Sequence, residues 1–193
     1  MKSLWLLTFF ISSVIPATVF AENTCLEKIW NLDDLDSPMT FENSAGAQKG
    51  WQYMTAYTSP ALPTPSKALY YGSLVTGNYN FGTNYGQATT SEIPIPSETH
   101  TKLFMRAMLF VEATVVFDRF TVTASDEKGK RVTVFQKSEN IVGAWKDVEA
   151  DLTSFAGKKI TITFDFATID GTGNEGRGIY VSDLKILSHC EAR

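Results

Sequence analysis

From Lys159 to Ile169 the chain alternates strictly: Ile160, Ile162, Phe164 and Phe166 fall on one face, Thr161, Thr163 and Asp165 on the other. Successive side chains of a strand point to opposite sides, so this is a half-buried strand with one apolar face. Such a face has to be covered by a second layer. The pattern recurs along the chain. Phe120, Val122 and Ala124 alternate with Thr121, Thr123 and Ser125, and Asp126-Glu-Lys-Gly129 then turns the chain into Arg131–Gln136, with Val132 and Val134 inward. Val148, Ala150 and Leu152 alternate with Asp147, Glu149 and Asp151, and Ser154–Gly157 closes that strand. Gln87 to Ile95 reads as another strand, ended by Pro94 and Pro96, which cannot donate to a ladder. Leu103 to Val111 is apolar on both faces, which predicts a central position or cover by a packed loop. No segment beyond the first twenty residues carries a helical period of convincing length. The expectation is an all-β fold, a two-sheet antiparallel jelly-roll β-sandwich.

The ends set the compartment. Lys2, an apolar run and the small residues of Val19-Phe20-Ala21 read as a secretory signal peptide cut after Ala21. The run is short and broken by Pro16, which argues against a retained anchor, and no later run is long enough to span a membrane. The organisation expected is a signal peptide over 1–21, a lead-in over 22–40 and one jelly-roll domain over 41–193, secreted or periplasmic. One of the 17 basic residues and none of the 21 acidic ones lie in the signal peptide, so the remainder carries a formal charge of −5. It has no basic stripe of the kind nucleic acid requires. The two cysteines, Cys25 and Cys190, stand near opposite ends. In an oxidising compartment a disulfide is the default, worth on the order of 4–5 kcal/mol in the chain-entropy model and requiring adjacent termini. A reactive thiol pair is the other reading.

Catalytic signatures are sparse. There are two histidines, His100 and His189, and no Gly-x-Ser-x-Gly. A transition-metal site is disfavoured, whereas calcium, which takes carboxylate and carbonyl oxygens, is compatible with the composition. Asp33-Asp34-Leu-Asp36 reads as a solvated segment. Among the aromatics, Trp51 and Tyr180 are expected in the core. Tyr79, Asn80, Asn84 and Tyr85 are the expected ligand contacts, since phenols and amides bind sugars, and a loop packed on itself is the other reading of them. In the closing strand, Ile179 to Leu187, Asp183 shares a face with Ile179 and Val181 if the alternation is unbroken. An inward carboxylate there needs a cation or several donors.

Several ordered motifs resemble a known group. Phe41-Glu42 followed by Gly50-Trp51 resembles the opening of MAM domains and of galactose-binding-like jelly-roll carbohydrate-binding modules. Ala68-Leu-Tyr-Tyr-Gly72 and Thr76-Gly-Asn-Tyr79 look like the next strand and loop. Trp145 with Ala150-Asp-Leu-Thr-Ser-Phe-Ala-Gly-Lys158, and Asp170, Asn174 and Gly178-Ile-Tyr-Val-Ser-Asp-Leu184, are similar to the later motifs of secreted modules of that type. The resemblance implies a structural Ca²⁺ held by Glu42 and Asp183; this chain departs in carrying Ser182 where the family's first Asp stands. Failing a metal, Asp183 pairs with Lys185, Arg177 or a turn amide. The function implied is non-catalytic binding of carbohydrate or of a cell-surface protein, in adhesion. The alternatives are a small polysaccharide-active hydrolase acting through surface carboxylates, and an accessory protein with only a protein partner.

Overall fold

A computed structural model of the protein describes residues 26–34, 38–54, 67–97, 99–114, 116–138 and 143–190. Two six-stranded antiparallel sheets face each other. The first runs β10 (Lys146–Asp151), β7 (Thr99–Phe110), β12 (Gly178–Cys190), β4 (Ala68–Gly72) and β3 (Gly50–Met54), with β1 (Leu26–Asn31) also against β12. The second runs β2 (Met39–Asn43), β5 (Tyr85–Thr90), β11 (Lys159–Ala167), β8 (Arg119–Asp126) and β9 (Arg131–Gln136), with β6 (Ile93–Pro94) beside β11. The alternating runs place their apolar faces as expected: Ile160, Ile162, Phe164, Phe166, Phe120, Val122 and Ala124 are all buried. From the opposing sheet come Leu103, Met105, Ala107, Leu109, Ile179 and Val181. The second apolar face of β7 is also covered, with Met108 packed beside Met54, Tyr70 and Tyr180.

Trp51 spans the two layers. Its ring lies 5.3 Å from that of Tyr71 in its own sheet, and 5.8 and 6.1 Å from Phe120 and Phe164 in the other. Its indole N–H donates to the carbonyl of Gly86 at 3.2 Å. Gly86 has to be glycine, because a Cβ there would collide with the Asn43 amide and the Tyr71 ring.

β12 organises the first sheet. It pairs with β7 along most of its length, while its other edge pairs first with β4 (Ile179–Val181) and then with β1 (Lys185–His189). Leu26 lies opposite His189, so the two ends of the fold are fastened side by side. The segment expected as a lead-in thus supplies β1 and the start of β2, and Trp30 and Leu32 enter the core. Cys25 and the side chain of Cys190 lie outside the described residues.

The alternation of β12 is broken, which corrects the inward orientation expected for Asp183. Ile179 and Val181 face the core, and so do Leu184 and Ile186, with the phase moved by one residue between them. Ser182 pairs with Arg106 and Lys185 with Phe104, three steps on β12 against two on β7. This is a β-bulge. Asp183 sits within it at φ 52°, in the left-handed region that Asp tolerates better than most residues. The bulge turns its carboxylate away from the core, onto the outer face.

Candidate functional site

The bulge opens a groove of about 610 Å³ on the outer face of the first sheet, lined by Phe104, Met105, Arg106, Asp147, Val148, Glu149, Asp183 and Lys185. Strand register builds it. Asp147 lies opposite Arg106, which lies opposite Ser182; Glu149 lies opposite Phe104, which lies opposite Lys185. Two rows of three therefore cross β10, β7 and β12, and the bulged Asp183 is inserted between them. Arg106 Nε lies 2.8 Å from Asp147 Oδ1 as an ion pair, and its guanidinium lies 5.5 Å from the Trp145 ring. Such stacking and pairing fix a long side chain in one orientation. Ser182 Oγ lies 3.3 Å from Asp183 Oδ2. The apolar side chain on this outer face is Phe104, while the side chains of Met105 and Val148 pack toward the core. Around Phe104 stand three carboxylates and two cations, acceptors and donors on a nearly neutral balance. A surface of this kind can hold a polyhydroxyl ring, its apolar face on Phe104 and its hydroxyls on the rim.

Asp183 can be probed without losing the bulge. Glycine adopts the left-handed conformation freely, whereas alanine does not. Asp183→Ala should be less stable than Asp183→Gly by about 1 kcal/mol in thermal unfolding. Equal midpoints would contradict the left-handed backbone at this position.

The four residues expected to contact ligand are not brought together. Tyr79 is fully buried, its hydroxyl donating to Asp118 Oδ2 at 2.5 Å and its ring edge-on to Phe166 at 5.7 Å. A phenol that closes the end of a core needs such an acceptor. Burial and the adjacent Asp118 raise its pKa. Asn84 is buried as well: its Oδ1 accepts from the Tyr71 hydroxyl at 2.5 Å and its amide donates to the Gly82 carbonyl at 2.6 Å. Asn80 and Tyr85 are exposed. Tyr85, 63% exposed, borders another, smaller groove of about 230 Å³ on the outer face of the second sheet, with Glu42, Gln87, Arg119, Thr121 and Asp165.

Glu42 and Asp183 are not neighbours either. Glu42 belongs to the row Glu42–Gln87–Asp165–Thr121 on the outside of the second sheet. Asp183 lies on the outside of the first. The core separates them, so one ion cannot bridge both. Among the described residues no three of His, Cys, Asp and Glu stand close enough to hold a metal by themselves.

The sequence reading missed a polar cluster at one end of the sandwich. Asp118 is 1% exposed and has φ 48°; with Asp183 it is one of two non-glycine residues at positive φ among those described. Its Oδ2 accepts from Tyr79 and, at 2.8 Å, from the backbone N–H of Glu112. Lys137 is buried, and its ammonium donates to the carbonyls of Glu112, Phe117 and Asp118 at 2.5, 3.1 and 2.7 Å. Burial raises the pKa of Asp118 and of Glu112, and the neighbouring carboxylates add to this; burial lowers that of Lys137. Nothing in the local sequence around Asp118 signals this role. Asp170 and Asn174, in the loop that completes the cluster, enter the sequence reading only through the motif resemblance.

No protein-family model and no curated protein matches the chain. Among solved structures, a family 61 carbohydrate-binding module solved in complex with β-1,4-galactotriose is similar at 13% identity, with a TM-score of 0.53 over 77% of this chain and 87% of that one. The K1 and K3 cleaved adhesin domains of Lys-gingipain from Porphyromonas gingivalis W83 match at 14% and 16% identity. Their TM-scores are both 0.48, over 88% and 83% of this chain and 99% and 98% of theirs. The fold is a carbohydrate-binding-module-type β-sandwich.

Proposed function

We propose that the protein is an exported, non-catalytic module that binds a neutral glycan in the groove at the β12 bulge. The observation that carries this reading is the groove itself: the Phe104 ring on the outer face, ringed by charged donors and acceptors of both signs. A strongly charged polymer would face like charges whichever its sign, while vicinal hydroxyls can use carboxylate and guanidinium together. The fold neighbour solved with β-1,4-galactotriose makes that trisaccharide the first probe. Titration calorimetry of residues 22–193 with galactotriose, then with other neutral oligosaccharides, is the test. Binding that Asp183→Gly and Arg106→Ala each weaken tenfold or more supports the groove. Binding untouched by either, or none across the panel, overturns it. No reducing sugar should be released from the matching polysaccharides.

We also propose that Cys25 and Cys190 form a disulfide. The β1–β12 register supports it, since Leu26 lies opposite His189, and in sequence Cys25 immediately precedes the first and Cys190 immediately follows the second.

A further inference from the structure

The polar end of the sandwich contains oxygens that hydrogen bonding does not account for. Asn174 is 1% exposed, and its amide nitrogen donates to the carbonyls of Gly82 and Asp170, both at 3.3 Å. Those two acceptors fix which end of the amide is nitrogen, so the remaining atom is Oδ1, and it is buried without a hydrogen-bond partner. Glu112 Oε2 is likewise buried and without a partner. Glu112 reaches the same loop: its carboxylate occupies the space where a side chain on Gly173, the residue before Asn174, would stand. Leaving two buried acceptors unsatisfied is costly, and native folds rarely do so without an ordered water or a bound ion.

The charges point the same way. Glu112, Asp118 and Asp170 act on one another by like-charge repulsion, and Lys137 is the cation that acts on the first two. Its ammonium is already engaged by three backbone carbonyls. Three carboxylates against one ammonium leave a formal −2, which one divalent ion cancels. The free donor atoms are a carboxylate oxygen and an amide oxygen, with loop carbonyls nearby. These are hard oxygen ligands, without imidazole or thiolate, which selects calcium over a transition metal.

We propose that Glu112, Asp170 and Asn174 form a calcium site that ties the loop before Asp118 to the loop of residues 170–174. The site stands apart from the groove on β12 and does not rest on glycan binding. It also differs from a Glu42–Asp183 site, whose members lie on opposite outer faces.

The test is calcium alone, added to residues 22–193 after stripping with a chelator, followed by calorimetry and thermal unfolding. One calcium should bind per chain and raise the melting midpoint, and Glu112→Gln and Asp170→Asn should each weaken binding tenfold or more. Glu112→Gln preserves shape, so it should remain folded, as circular dichroism will report. Glu42→Gln and Asp183→Gly should bind calcium as the parent does, even where Asp183→Gly has lost glycan. Weak extracellular sites reach dissociation constants of about 1 mM, so absence of binding at about 10 mM calcium overturns the proposal. Equal binding by the Glu112 and Asp170 variants overturns it as well, as does loss in the Glu42 variant.

Discussion

Trp51→Ala lowers the free energy of unfolding by about 3–5 kcal/mol, as large aromatic truncations in cores do. Trp51 is 1% exposed and joins three aromatic rings from both sheets, so its removal leaves a cavity that neither sheet can close without moving the other. The Gly86 carbonyl also loses its indole donor, which adds the cost of a buried acceptor without a partner. Trp51→Phe keeps most of the volume and should cost visibly less. Urea unfolding followed by tyrosine fluorescence or circular dichroism reads both. A loss below about 1 kcal/mol for the alanine variant, the scale of a surface site, would place Trp51 outside the core.

The second large effect concerns the ends of the chain. Changing both Cys25 and Cys190 to serine should cost about 5 kcal/mol in the chain-entropy model, because the proposed bridge would close nearly the whole domain into one loop. The expected pattern is specific. Purified oxidised protein should show no free thiol in denaturant, and reducing agent should lower the melting midpoint of the parent to that of the double serine variant. Two titratable thiols, or a midpoint indifferent to reductant, would mean that the bridge does not form.

The sandwich was legible because its strands are half-buried and obey period two. Ile160 to Phe166 and Phe120 to Ala124 announce their faces directly, and so does the doubly covered β7. The lead-in was misread because β1 gains its place by pairing with β12, more than 150 residues away, and no local pattern encodes that. Asp183 was placed on the wrong face for a related reason. Alternation predicts orientation only while the register holds, and a single bulge reverses every side chain beyond it. Tyr79 and Asn84 look like loop residues in sequence, and they are; their side chains turn inward to satisfy Asp118 and Tyr71. His100 and His189, far apart in sequence, are cross-strand neighbours between β7 and β12. The groove combines residues from three strands far apart in the chain, so only register assembles it. The Asp118 cluster shares that property.

What ties the groove to function is occupancy by a sugar, and amide chemical-shift mapping measures it residue by residue. Titrating the labelled protein with galactotriose, or with whichever neutral oligosaccharide binds, should shift the amides of Phe104–Arg106, Lys146–Glu149 and Ser182–Lys185. Amides around Glu42, Tyr85 and Asp165 should stay in place. Shifts confined to that second face, or to the loops around Asn80, would contradict the assignment of the β12 bulge as the binding site.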